Sequence, residues 1–541
     1  MTASSSAVGT TRSFSPPISA KRAENPRHRA KGRCRRRPCD ARRPAPSRLL
    51  HNTHAFFQRA ITAMPWYADL ELERHGLRYI EPELNVALIA SDGRALEWWT
   101  DIERTIASFE SFSRKDAATL RRWQSDFVPI VQNILSPESR SPPLPASERR
   151  ALLEKSAAGR YLLDVSALSP LEFVHREFEN PTVQAGLLFF NGLREVDLRV
   201  RGFGHHIAAL LASPAKAQMS RGGTAALARA LEASVRESGG EIRLLTEPRK
   251  ILIEKGKAVG VESTDGEIFR ARQFVVSSLN PQQTFLDLLD ESLVPREIPR
   301  PCRGIRIQPA GAAVRAEPQS ARPTALRRDG QASRTGEGFH GHSRSRPRRP
   351  VPGDRAPSRS RHDSADGDVG RISDDFRSHT GAADGHTAFM WEKLPYRLHG
   401  DPNNWDSAAA KHGATMLDLW SKHAPNLRDD VIDSFTRTAL DTERSLPNMR
   451  EGDLLVGSFT NGQIGHDRPF PGAGTYRAHL PGLYPVRIEQ PSGGNVTGLP
   501  GYNAAQVILA DLGIAAAWAP PADRGKACEV GGVMHVIANR V

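Results

Sequence analysis

Near its carboxyl end the chain reads Gly493-Gly494-Asn495-Val496-Thr497-Gly498-Leu499-Pro500-Gly501-Tyr502-Asn503. Glycines at this density let a backbone approach a flat ligand closely, because no Cβ stands between them. The residues that follow predict a helix starting near Tyr502 and burying Ala505, Ile508, Leu509 and Leu512. A helix amino end aimed at a ligand offers free N–H groups and the positive end of the helix dipole. On these residues alone, a glycine-rich turn that merely caps a core helix is the competing reading.

Other residue types that could do chemistry are weaker. His205-His206 has the makings of an acid/base pair or two metal ligands, but no Cys, Asp or Glu sits at ligand spacing, which favours a structural role. Trp98-Trp99 and Trp391 could stack on a flat polyene or ring, although core packing is the default for such residues. Asp441, Glu443, Arg444, Arg450, Glu451 and Asp453 form a mixed charge cluster, the pattern of a solvated or salt-bridged surface. No general base and no metal site stand out.

The clearest positioning elements lie at 222–285. Gly222-Gly223-Thr224 opens a predicted helix in which Leu227, Leu231 and Val235 recur every four residues, and Gly239-Gly240 stops it. Short β-type runs follow at Glu241–Leu245, Lys250–Glu254, Ala258–Glu262 and Ile268–Ala271. Lys255-Gly256 and Asp265-Gly266 supply the tight turns between successive runs. Phe274-Val275-Val276-Ser277 reads as a buried strand. Helix, strand, β-meander and a strand returning to the sheet describe one half of a dinucleotide-binding α/β protein.

Composition adds a second kind of information. The 541 residues are 39% hydrophobic and 25% charged, with a net charge of +13. That charge is unevenly spread. Residues 1–50 carry 13 Lys/Arg against 2 acids, and residues 301–363 carry 14 Arg against 5 acids, which leaves the remainder at −7. The body is therefore mildly acidic and the basicity sits in two inserts. Neither insert has the aromatic interleaving or groove-entering element that would point to nucleic acid. Cys34, Cys39, Cys302 and Cys528 lack the paired spacing of a zinc site or disulfide framework, which suits a reducing compartment. No run of 18 apolar residues is present.

Several long strings resemble phytoene-desaturase-like flavoproteins: Pro65–Ala87, Ser169–Leu193, Gly222–Phe285, Asp441–Gln463 and, most specifically, Gly493–Gly513. The resemblance covers about three-quarters of the chain. It implies an α/β fold in which a Rossmann-like FAD/NAD(P)-binding domain carries an inserted substrate domain. It also implies FAD as cofactor, a small apolar substrate and a separate electron acceptor. The same resemblance lays Gly493, Gly494, Asn495, Thr497, Gly498, Gly501, Tyr502 and Asn503 along the flavin and its inner phosphate. It brings the backbone near Arg249 past the adenine and counts Ser277 among the cofactor contacts. Because the cofactor takes the hydride, a protein-borne general base is optional.

A family member should begin with a strand, a glycine-rich turn and a helix. Residues 1–48 contain no such pattern and read as a disordered basic segment. With GC-rich codons, however, Ala3–Lys21 read from the third base of each codon gives V-V-V-G-G-G-H-N-A-L-V-L-A-A-Y-L-G-K, which holds G-x-G-x-x-A after a β-branched strand. A further shift within Ser19–Lys31 gives R-K-T-L-V-I-E-R-K, resembling a second strand that ends in an acid. Gln308–Ala332 and His340–Gly370 yield apolar strings in the same way, and Val486–Pro491 yields C-G-S-S-S-H-P just before Gly493. Out-of-frame GC-rich DNA naturally produces Arg, Pro, Ala and Gly, so the inserts are read as compensated frameshifts.

The expected organisation is therefore a basic segment at 1–48 (an out-of-frame FAD-binding start), substrate-domain pieces at 49–221 and 386–481, and FAD-binding segments at 222–300 and 482–514. An out-of-frame substrate-domain stretch fills 301–385, and a tail runs over 515–541. The expected location is cytoplasmic, with the mitochondrial matrix as the alternative because an Arg- and Ser-rich, acid-poor start resembles a transit peptide. Peripheral contact with a membrane stays open.

Overall fold

The computed structural model describes residues 57–515 except 91, 193–196, 214–216, 295–310, 456, 458–462 and 487–495, with only short strands between 319 and 387. Toward the amino end it describes Thr2–Ala3, Arg29–Gly32 and residues 52, 54 and 55. Most of the two basic inserts and nearly all of the tail thus lie outside the described residues.

The helix expected after Gly222-Gly223-Thr224 runs Ala225–Glu237. Asn52 holds its amino end, with Oδ1 accepting from the Thr224 amide at 2.9 Å and from the Thr224 hydroxyl at 3.0 Å. Gly239, at φ 80°, ends it: the Gly240 amide reaches back to the Val235 carbonyl at 2.8 Å and the Gly239 amide to Arg236 at 3.0 Å. This paired closure satisfies two carbonyls that the helix would otherwise leave without partners.

The strands follow as Glu241–Leu244, Pro248–Glu254, Lys257–Ser263, Ile268–Arg270 and Val275–Ser277. The middle three form an antiparallel meander. Lys255 and Gly256 both take positive φ, 50° and 73°, the geometry of a two-residue hairpin turn. Glu241–Leu244 ends one residue earlier than expected, because Leu245 turns to φ 62° and leaves the strand.

Val275–Ser277 is the middle strand of a three-stranded parallel sheet. Val276 lies opposite Thr2 on one side and Tyr484 on the other, and Ser277 lies opposite Ala3 and Pro485. Arg29–Gly32 runs parallel to Glu241–Leu244. Alternate residues of the sheet feed opposite layers, as the two-residue period of a strand demands. Val275 and Leu483 pack with Ile251, Val261 and Phe285 of the meander side. Val276 and Tyr484 pack with Tyr476, Ala504 and Ile508 of the helix side. A meander, a parallel sheet and a helical layer make the Rossmann-like domain.

The remaining chain builds two further bodies. Helices Ile102–Glu110, Arg114–Ile130, Ala157–Ser166, Pro170–Glu177 and His206–Ala212 share a core around Trp123, whose ring stacks on Phe173 at 4.8 Å and meets the edge of Phe178 at 4.8 Å. An antiparallel sheet has the order Phe339–Gly341, Asp363–Gly367, Ala388–Lys393, Gly311–Pro318, Val431–Arg437, with helix Asn404–Ser421 packed against it.

Candidate cofactor site

In open α/β sheets ligands bind where the carboxyl ends of parallel strands gather. Here Ala3, Ser277 and Pro485 end side by side, and the Val486 amide donates to the Ser277 carbonyl at 2.9 Å. The Ser277 hydroxyl is buried and pairs with the Thr284 hydroxyl at 2.7 Å, which fixes the turn into the following helical segment. Asn280, three residues on, donates to the Asn448 carbonyl at 2.9 Å and accepts from the Gln283 amide at 2.7 Å. The rim of the sheet is therefore tied down by polar side chains of its own.

The carboxyl-terminal helix runs Leu499–Asp511, starting three residues before the expected Tyr502. Gly498 in the left-handed region at φ 68° and Pro500 in the first turn set that start. Its packing is not one-sided. Ala505, Ile508 and Leu509 are buried as expected, but Leu499, Tyr502, Asn503, Ala504 and Val507 are buried too, whereas Leu512 is only half-buried. The helix fills the space between the parallel sheet and a cluster of Trp66, Tyr67, Leu70, Leu227 and Leu231.

Within the glycine-rich run, Gly493, Gly494 and Asn495 lie outside the described residues. At Gly498 the flat group at close approach belongs to the chain itself. A Cβ there would stand 2.6 Å from Trp66 Cε2, and the Trp66 indole N–H donates to the Thr497 carbonyl at 2.9 Å. Trp66 lies within the Pro65–Ala87 string but is not among the site residues that the sequence points to. The signal available in the sequence was the Met64-Pro65-Trp66 start of a short helix, Pro65–Asp69.

Asn503, fully buried, turns its Nδ2 toward the Ser139 and Ser141 carbonyls, both at 3.2 Å, and the Tyr476 hydroxyl at 3.4 Å. Gln506 adds a bond to the Arg140 carbonyl at 3.0 Å. This face of the helix clamps the 139–141 loop. Complete burial holds the Tyr476 phenol protonated far above its ordinary range. Tyr484 is pushed up to about 12 by burial and by its hydrogen bond to Asp511. The Arg477 guanidinium holds Asp511 below the usual carboxylate range. Arg249, on the meander, projects an exposed side chain that pairs with Glu262 at 3.2 Å, so only its backbone is placed to meet a ligand.

The remaining candidates resolve into structure. His205 Nδ1 meets the Ser166 hydroxyl at 2.8 Å, and the His206 ring sits edge-on to His205 and Phe203. Among the described residues no group of three His, Cys, Asp or Glu is arranged to hold a metal. Arg59 covers Trp98 at 4.5 Å and Arg104 covers Trp99 at 3.3 Å. The side chain of Trp391 lies outside the described set. In the charge cluster, Asp441 closes a capping box with Thr438, Arg444 pairs with Asp406, Arg450 with Asp287, and Glu451 with Arg397. Asp453 differs from its neighbours: it is buried and accepts from the Leu455 and Gly457 amides at 2.9 and 2.6 Å. Arg468, missed in the sequence, is 1% exposed and donates to the carbonyls of Gln463, Leu455 and Gly457, each at 3.2 Å. No helix among the described residues is long and apolar enough to cross a membrane.

No family model matches the chain. Individual proteins do. A limonene dehydrogenase subunit of Castellaniella defragrans is 23% identical over 509 residues, covering 87% of this chain and 88% of the relative. Pyridine nucleotide-disulfide oxidoreductase domain-containing protein 2 of Rattus norvegicus is 24% identical over 507 residues, 82% of this chain and 83% of the relative. A phytoene desaturase (neurosporene-forming) of Cereibacter sphaeroides is 43% identical over 68 residues, 13% of each chain. Among solved structures, an oxidoreductase from Methanosarcina mazei superposes with a TM-score of 0.57 at 12% identity, over 95% of this chain and 100% of that one. Cyclohexylamine oxidase from Brevibacterium oxydans does so at 0.52 and 13%, over 95% and 99%. The chain has the Rossmann-like fold of the FAD-dependent oxidoreductases and, across most of its sequence, is similar to their phytoene-desaturase-like group.

Proposed function

We propose that this chain is an FAD-dependent dehydrogenase of the desaturase type, removing two hydrogens from a C–C or similar bond of an apolar, polyene-like substrate. The observation that carries the reading is end-to-end similarity to a protein named as part of a limonene dehydrogenase, beside a shorter and stronger match to a phytoene desaturase. Both names specify isoprenoid hydrocarbons. The first relative is named as one subunit of its enzyme, which supports a second chain as the route by which electrons leave.

The scaffold fits a dinucleotide: the carboxyl ends of three parallel strands meet beside the amino end of a buried helix. In this reading Gly493, Gly494, Asn495, Thr497, Gly498 and Gly501 offer backbone to the flavin side. Tyr502 and Asn503, whose side chains point into packing, contribute main chain only. Ser277 and the backbone at Arg249 serve the rest of the cofactor. Bound FAD would supply the hydride acceptor, leaving position and desolvation to the protein. The location is a reducing compartment, the cytoplasm or the mitochondrial matrix.

One observation favours a second reading, a decayed relative that does not bind FAD: residues 1–48 as written contain no phosphate-cradling glycine-rich turn. The test is to purify the chain in the presence of FAD, measure retained flavin, and add an apolar polyene anaerobically. Retained flavin that bleaches on addition supports the dehydrogenase, and retained flavin indifferent to every apolar substrate sinks the substrate class. No retained flavin favours the decayed chain.

A further inference from the structure

We infer that the stretches 1–48, 301–385 and 486–491 are out-of-frame translations, and that a cradle for a dinucleotide pyrophosphate is encoded in the second reading frame of the first. The inference rests on the flavoprotein reading for its ligand, but its central claim concerns the nucleotides and stands or falls separately.

Four placements converge on it. Thr2–Ala3 lies parallel to Val275–Ser277 at the edge of the central sheet. The shifted reading begins its β-branched V-V-V at Ala3 and continues at once into G-G-G-H-N-A. The strand position and the frame-shifted strand therefore coincide, and the glycines follow from the end of the strand where a phosphate-binding turn belongs. Second, Arg29–Gly32 lies parallel to Glu241–Leu244. The other shifted reading places T-L-V-I-E over Asn25–Arg29, so its acid falls where that pairing starts. The interval from the first shifted glycine to that acid is about 20 residues, the separation a strand–helix–strand unit uses between phosphate turn and ribose-binding acid.

Third, Gly311–Pro318 is hydrogen-bonded on both sides, to Ala388–Lys393 and to Val431–Arg437. A strand so placed calls for apolar, β-forming residues. The written residues Ala313–Ala316 are A-V-R-A, and the shifted frame turns them into L-F-A-L. Fourth, the slip at Val486–Pro491 starts directly after the strand Leu483–Pro485, and its alternative, C-G-S-S-S-H-P, restores small and polar residues beside the same sheet edge as Ala3 and Ser277. Random shifts would have no reason to resume sense at the boundaries of elements in the fold. Two of every three bases are largely set by the written residues, which limits how much codon choice can contribute.

The experiment has two arms. The coding DNA across residues 1–50, 300–386 and 484–492 is read directly, and its alternative frames are translated. The inference expects V-V-V-G-G-G-H-N-A-L and L-F-A-L at the stated positions with no stop codon inside either stretch. Stop codons or unrelated strings there overturn it. The second arm expresses the chain as written and a re-framed chain, and compares bound flavin released by denaturation. The re-framed chain is expected to hold about one flavin per molecule and the written chain at least tenfold less. Confirmed frames with a flavin-free re-framed chain would leave the frame inference standing and remove the flavoprotein reading. Equal flavin on both chains would overturn the assignment of the phosphate cradle to the second frame.

Discussion

The stretch 222–289 and the stretch 301–385 invite comparison, because both belong to the body of one enzyme-like fold and their sequences behave in opposite ways. In the first, each level agrees with the next. Leu227, Leu231 and Val235 recur at helical spacing and are buried, Gly239 stands at the left-handed helix stop, and Lys255-Gly256 occupies the hairpin turn. In the second, a strand with neighbours on both sides is written G-A-A-V-R-A-E-P. Agreement across levels marks a sequence selected for its fold. Where the backbone pairing survives while side-chain logic fails, the letters rather than the fold are the anomaly.

Substitutions can sharpen or break that contrast. The largest effect is expected at Trp66. Trp66→Ala removes a fully buried indole and its bond to Thr497, and should destabilise by about 3–5 kcal/mol, read as a lower urea midpoint. Gly498→Ala should cost about 3 kcal/mol in the parent, combining left-handed strain with displacement of the Trp66 ring. In the Trp66→Ala background only the strain remains, about 1–2 kcal/mol. Additive effects in that double-mutant cycle would show that the ring and the glycine are not coupled. Next, Asn503→Ala leaves the Ser139 and Ser141 carbonyls without their donor, for about 1–3 kcal/mol.

The direct contrast is smaller. Gly256→Ala forces a Cβ into φ 73° and should cost about 1 kcal/mol, whereas Arg327→Ala should stay within about 0.5 kcal/mol because an out-of-frame residue has no selected role to lose. Comparable losses at both positions would undo the comparison. Smallest is the pH term. Asp511 is held below its ordinary value by Arg477, so its contribution is fully present above about pH 4 and fades as pH falls through the folded value. Asp511→Asn should therefore cost no more than about 1 kcal/mol at neutral pH, with the difference shrinking below about pH 4 in acid-unfolding curves.

Much of the fold was legible where residues speak locally. The meander, its turns and the helix stop depend on φ and on two- or four-residue spacing, and they appear where the sequence places them. The early start of the last helix was readable from Pro500, but burial on all its faces was not, because three distant segments surround it. Trp66 and Arg468 were illegible for the same reason. Each acts on partners set by tertiary packing, a carbonyl 431 residues away in one case and three loop carbonyls in the other. Asp453 looked like its charged neighbours, and only the surrounding loop separates it from them.

The position of Val275–Ser277 has a kinetic corollary. Its two sheet partners come from the extremes of the chain, Thr2–Ala3 before it and Leu483–Pro485 after it, each over 200 residues distant. During synthesis at roughly 5–20 residues per second, the strand emerges and then waits on the order of 10–40 s for its second partner to be made. Throughout that interval one hydrogen-bonding edge is open on a strand whose Val275 and Val276 will end up buried. Nascent chains stalled between these strands should therefore be the ones that aggregate or recruit chaperones, and release of the last helix should end the exposure.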